Sequence, residues 1–161
     1  MSSSRRKSIC KFSREIALRL EAAEPLYVEL RLFVQSAGLA SLCFSIELLA
    51  RECLNNAVIH GAPADADNTV GLTLSVGRKW IRLTVEDHGP GFRWQKTREG
   101  LPDSVTPSGR GLQICMLYAE RVRFTRSGNA VEMWLEKPRE RDDQDGRMQC
   151  ETRTRRRIDS A

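Results

Sequence analysis

Two stretches of strict alternation constrain this chain more than anything else in it. Val70, Leu72, Leu74 and Val76 fall on every second position, and after Gly77-Arg78-Lys79 the same period returns in Ile81, Leu83 and Val85. Strand side chains point to opposite faces in turn, so this period leaves each run with one apolar face. Two such runs around a glycine-containing turn predict a hairpin over residues 69–85. Residues 122–125 and 131–135 predict a second, turning through Ser127-Gly128-Asn129. Ile16, Leu18 and Leu20 alternate with Ala17 and Arg19 and suit an edge strand.

Between these runs the period changes to that of a helix. Residues 24–37 carry Leu26, Val28, Leu30, Leu32 and Phe33, with Pro25 in the first turn and Gly38 as the stop. Ser41 is placed to cap a longer helix that runs to His60 and ends at Gly61 and Pro63. Residues 109–120 suit a third helix. Residues 92–108, with two prolines and many polar side chains, read as a loop of unusual length. Two or three helices and about five strands, mostly joined as hairpins, imply helices on one face of a mixed sheet.

The chain's 161 residues suit one domain, with boundaries expected at 11–138 between a flexible basic leader (1–10) and a disordered charged tail (139–161). The net charge of +5 is concentrated at the ends, in Arg5, Arg6 and Lys7 and again in Arg153, Arg155, Arg156 and Arg157. No aromatic residues interleave with them as a base-stacking surface needs, so solvated tails are expected and no direct nucleic-acid role. Five cysteines form no CxxC pair, and Cys43, Cys53 and Cys115 sit among apolar neighbours as small hydrophobes. That usage suits a reducing, cytoplasmic setting and argues against a zinc site. No apolar run is long enough for a signal peptide or a membrane span.

Three segments could carry chemistry. On the long helix Leu42, Ile46, Leu49, Cys53 and Ala57 form the core stripe, and Glu52 and Asn56, four residues apart, lie together at its margin. They either line a cleft or simply border the core. Asp87 continues the inward phase of Ile81, Leu83 and Val85, where a carboxylate is costly unless it meets hydrogen-bond donors. Gly89-Pro90-Gly91 then lets backbone pass close to a flat ligand, or is only a turn. Ser108-Gly109-Arg110-Gly111-Leu112 precedes a helix, where exposed amides and an arginine suit phosphate, or where a glycine-rich cap suffices. It is neither a Walker A loop nor a Rossmann fingerprint.

In this order the segments resemble a known family. Glu52-Cys53-Leu54-Asn55-Asn56-Ala57-Val58-Ile59-His60-Gly61 is similar to the N box of the GHKL ATPases, Asp87-His88-Gly89-Pro90-Gly91-Phe92 to their first glycine box, and Gly109-Arg110-Gly111-Leu112 to their second. The ending in His-Gly is especially similar to the bacterial anti-sigma-factor serine/threonine kinases. The resemblance covers about residues 12–137. It implies an α+β fold, a two-layer α/β sandwich of the Bergerat type with helices on one face of a mixed, mostly antiparallel sheet. It also implies ATP and Mg²⁺ as cofactors: Asn56 holding the metal, Asp87 binding the adenine amine, and Gly89, Gly91, Gly109, Arg110, Gly111 and Leu112 lying along the nucleotide. Glu52 would be the general base for a serine or threonine hydroxyl. Residues 92–108 would be the ATP lid. Where the family often has Thr beside the adenine, this chain has Asn129, which keeps hydrogen-bonding capacity.

The function so implied is a protein kinase that phosphorylates a small anti-anti-sigma (STAS-type) partner and switches between it and a sigma factor or other regulatory target, as a homodimer. The alternative is a non-catalytic, nucleotide-gated binding module. A histidine kinase ranks lowest, because no dimerising helix pair with a phosphoacceptor histidine precedes the domain. His60 reads as helix-end packing rather than as a metal ligand.

Overall fold

A computed structural model describes residues 10–60, 68–88, 107–125 and 128–138. Its strands are β1 (Cys10–Ala17), β2 (Thr69–Val76), β3 (Trp80–Asp87), β4 (Arg121–Phe124) and β5 (Ala130–Glu136). Its helices are α1 (Ala23–Ser36), α2 (Cys43–His60) and α3 (Pro107–Tyr118). The strands form one sheet in the order β1-β2-β3-β5-β4. Every described pairing is antiparallel, in line with the expected α+β fold and its mostly antiparallel sheet.

Both hairpins form, and in the phase the alternation demands. Val70, Leu72, Leu74 and Val76 lie opposite Asp87, Val85, Leu83 and Ile81, and Leu83 and Ile81 lie opposite Met133 and Leu135. These apolar side chains are buried on the helix-covered face. Phe12 and Ile16 on β1 bring two more apolar side chains to the same core. The other face carries polar cross-strand pairs: Ser13 and Thr73 share a hydrogen bond of 2.9 Å, and Arg82 faces Glu132 at 3.6 Å. Gly77 closes the first hairpin because a Cβ there would sit 3.0 Å from the Trp80 carbonyl, which its own N–H contacts at 2.9 Å.

The edge strand differs from the alternation of Ile16, Leu18 and Leu20. β1 begins earlier, at Cys10, and ends at Ala17, which lies opposite Thr69, the first residue of β2. One more backbone bond follows, from the Leu18 N–H to the Asn68 carbonyl at 2.8 Å, and Leu20 is then exposed in a 3₁₀ turn, Leu20–Ala22.

Helix α1 buries Ala23, Leu26, Tyr27, Leu30 and Val34, a spacing of three and four. Val28 and Leu32, counted with the core stripe on hydrophobicity, fall on the opposite side and are exposed. Gly38 ends the helix as expected, at φ 71. Its N–H donates to the Gln35 carbonyl at 3.0 Å and the Leu39 N–H to the Val34 carbonyl at 3.0 Å, a Schellman closure whose C″ residue, Leu39, is fully buried. Ser41 does not cap α2. It lies inside a second 3₁₀ turn, Ala40–Leu42, which runs directly into the helix at Cys43. A tight turn that already bends the chain in helical sense leaves no extended cap residue.

Helix α2 buries Ile46, Leu49, Ala50, Cys53, Leu54 and Ala57 between the sheet and its neighbours. Helix α3 starts at Pro107, two residues before the expected 109, because proline fits a first helical turn. No helix of the described residues is long and apolar enough to cross a membrane. The expected leader up to residue 9, Gly89-Pro90-Gly91, the long loop as far as residue 106 and the charged tail from residue 139 lie outside the described residues.

Candidate functional site

The core stripe of α2 decides where its polar side chains stand. Cys53 and Ala57 are each 5% exposed, so Glu52 and Asn56, the residues preceding them, are carried to the edge of the buried face and are half-buried. One helical turn apart, the two side chains share a face.

Helix α3 meets them there. Gly111 is buried in its first turns, and a Cβ on it would lie 3.0 Å from Asn56 Nδ2, 3.1 Å from Glu52 Oε2 and 3.5 Å from Asn56 Oδ1. A carboxylate, a carboxamide and the first turns of a helix therefore converge at a point where a side chain in place of Gly111 would press on both polar groups. One turn further along α3, Cys115 packs into α2: its Sγ lies 3.8 Å from Cys53 Sγ, and Cys53 Sγ lies 3.7 Å from Met133 Sδ on β5. The hydrogen bond with Cys115, reinforced by burial, pushes the Cys53 thiol well above its ordinary range and keeps it protonated. This sulfur contact joins α2, α3 and the sheet directly behind the polar cluster.

On its outer side α2 is held by Arg51. Its guanidinium stacks 4.0 Å from the centre of the Tyr27 ring and pairs with Glu24 at 3.0 Å and Glu47 at 3.1 Å, while Arg31 pairs with Glu47 at 2.9 Å. The adjacent residue on the helix is Glu52. The clamp between α1 and α2 thus sits one position from the polar cluster, and nothing in the apolar period announced it.

Asp87 ends β3, the middle strand of the sheet, in phase with buried Ile81, Leu83 and Val85, and is half-buried. Its main chain is held by the β4–β5 turn. The Asp87 N–H donates to the Asn129 carbonyl at 2.9 Å, and Asn129 Nδ2 donates to the Asp87 carbonyl at 3.2 Å. Thr125 Oγ1 donates to Asn129 Oδ1 at 3.0 Å. In the linear chain Asn129 reads as a turn residue and a departure from a family pattern; its partner is 42 positions away, beyond the reach of local spacing. Beside Asp87, His88 faces Glu15 at 3.6 Å, and Glu15 accepts a hydrogen bond from Thr69. That contact, with smaller help from His88, lowers the Glu15 carboxyl pKa.

Of the expected site residues, the structure brings Glu52, Asn56 and Gly111 into one cluster. It sets Asp87 on the helix-covered side at the end of the central strand and Leu112, half-buried, next to Gly111. Gly109 belongs to α3; Gly89, Gly91 and the Arg110 side chain lie outside the described residues, as does the His60 side chain. Oxygen donors beside a helix N-terminus are the chemistry that suits a hard divalent cation and a phosphate. Among the described residues no three His, Cys, Asp or Glu side chains converge into a metal site, so a cation here would need oxygens from its ligand and from water. The carboxylate of Glu52 and the carboxamide of Asn56 beside the first turns of α3 are donors of the type such a pair would need.

Comparison with known proteins adds to this geometry. Residues 16–135 match the family model described as histidine kinase-like ATPase domain. No curated protein matches the chain. One matching solved structure is the histidine kinase domain from Erythrobacter litoralis EL346 blue-light activated histidine kinase, with 29% sequence identity and a TM-score of 0.44. The match covers 62% of this chain and 45% of that one, so it spans less than half the neighbour's length.

Proposed function

The chain belongs to the histidine kinase-like ATPase domain family, and from that premise we propose that it is an ATP-dependent serine/threonine protein kinase of the anti-sigma type. The observation that carries this reading is the approach of Gly111 to Glu52 and Asn56, which brings a carboxylate, a carboxamide and the first turns of a helix together.

In this reading Asn56 Oδ1 would hold Mg²⁺, and the first turns of α3, with Gly109, Arg110, Gly111 and Leu112, would receive the phosphates of ATP. Asp87 would accept a hydrogen bond from the adenine amine, with Gly89 and Gly91 letting the chain pass close to the base. Bound Mg·ATP supplies the phosphoryl group and offsets the charge that develops on it. Glu52 accepts the proton of a substrate serine or threonine hydroxyl as that oxygen attacks. A base positioned in this way contributes about 10²–10⁴-fold. The burial of Cys53 and Ala57 fixes the face of α2 on which Glu52 and Asn56 stand.

The proposed substrate is a small anti-anti-sigma (STAS-type) protein, and the competing partner a sigma factor or similar regulatory target. The chain would act in the cytoplasm as a homodimer. These partners rest on the resemblance of the segment from Glu52 to Gly61 to the anti-sigma-factor kinases. Partner switching needs only a modest coupling, about 1–3 kcal/mol, between nucleotide state and partner affinity.

The test is incubation of the full chain with Mg·ATP and a STAS-type protein, followed by mass spectrometry of both. Phosphoserine or phosphothreonine on the partner is expected. Retained ATP binding without any phosphopartner would replace the kinase by a nucleotide-gated binding module.

A further inference from the structure

The turn between β4 and β5 does more than join two strands. Asp87 has one backbone donor and one backbone acceptor, and Asn129 contacts both: its carbonyl accepts from the Asp87 N–H at 2.9 Å, and its Nδ2 donates to the Asp87 carbonyl at 3.2 Å. The carboxamide is itself oriented. Its Oδ1 accepts from Thr125 Oγ1 at 3.0 Å, and that oxygen accepts in turn from the Ala130 N–H at 3.1 Å. Gly128, buried and at φ 77, supplies the left-handed residue that lets the turn fold back onto β3.

We propose that Asn129 is a positioning residue that sets base selectivity by fixing the main chain of Asp87, and does so without touching the base. The proposal rests on the nucleotide reading above. Adenine offers an amino donor at the position where guanine offers a carbonyl oxygen. A carboxylate meets the first favourably and repels the second. Guanine is tolerated only if the carboxylate retreats, and a backbone held at both of its polar groups resists that movement. Rejection of the wrong base thus depends on rigidity as much as on charge. Loss of the clasp costs ATP more than GTP.

The experiment measures Mg·ATP and Mg·GTP dissociation constants for the full chain by calorimetry, in the wild type, Asn129→Asp and Asp87→Asn. Asn129→Asp keeps the shape and the acceptor facing Thr125 but sets an oxygen against the Asp87 carbonyl. ATP affinity is expected to fall about three- to tenfold, the range of one hydrogen bond, with a smaller fall for GTP. The new carboxylate also stands near the base edge and can bear on the ratio itself, so the clasp is credited only when the uncharged Thr125→Val moves the ratio the same way. Thr125→Val, which removes the hydroxyl that orients the carboxamide, should shift the ratio in the same direction and serves if Asn129→Asp does not fold. A ratio that moves in Asp87→Asn but not in the folded clasp variants overturns the positioning role and leaves the nucleotide site standing. A ratio that Asp87→Asn leaves flat overturns both.

Discussion

Gly111 is a residue where stability and activity are expected to part. Alanine inside a helix is favoured over glycine by about 0.5–1 kcal/mol. The new Cβ would nevertheless stand 3.0 Å from Asn56 Nδ2 and 3.1 Å from Glu52 Oε2, and those side-chain ends would have to move. Gly111→Ala should keep or raise the thermal midpoint while phosphotransfer falls about ten- to hundredfold, the scale of a displaced catalytic group. Melting curves run beside turnover assays check this; full turnover would remove Glu52 and Asn56 from the chemistry. Glu52→Gln should bind ATP normally yet lose transfer, read by calorimetry and phosphopartner formation together. Asn56→Ala should abolish the Mg²⁺ dependence of ATP binding, and an unchanged affinity with and without the metal would contradict its role.

At the scale of elements, the position of α2 rests on one arginine and its neighbours. The Arg51 pair with Glu24 is solvent-exposed and contributes little, whereas the stack on Tyr27 and the pair with Glu47 are better shielded. Arg51→Ala should cost about 1–2 kcal/mol in urea unfolding, with lysine restoring only part because it cannot stack a planar group. Glu24 sits opposite, its carboxyl pKa lowered first by the hydrogen bond from Arg51. A lowered carboxyl stabilises above its unfolded value and ceases to do so as pH falls through the folded one, so acid loosens this joint. Gly38→Ala should cost about 1–2 kcal/mol, because alanine at φ 71 is strained even where the space is open.

For the molecule as a whole, the buried sulfur contact ties stability to alkaline pH. The Cys53 thiol holds its proton above the ordinary thiol value of 9.0, so the unfolded chain loses that proton first as pH rises. The part of the stability that rests on this thiol is complete below about 9 and falls above it. A thermal midpoint that declines past pH 9, with the decline reduced in Cys53→Ala, is the expected result. The two strand hairpins, the three helices and the core stripe of α2 were all legible in the chain, because periods of two and 3.6 are local and each strand face needed cover. What the periods did not carry was every feature made by distant partners. β1 stops where β2 begins, Val28 and Leu32 turn outward because Tyr27 and Val34 take the inner face, and Ser41 yields its capping role to a 3₁₀ turn.

The site divides in the same way. The types and order of Glu52, Asn56, Asp87 and the glycines around 110 were present in the linear chain, since side-chain chemistry and helical spacing need no tertiary context. Their meeting was decided only by folding: a glycine 55 positions from Asn56 in the chain fits against its carboxamide because α3 packs on α2, and Asn129 reaches Asp87 because β5 pairs with β3. Contacts of that kind depend on how two apolar faces settle against each other, and that balance belongs to the whole core rather than to any segment of it.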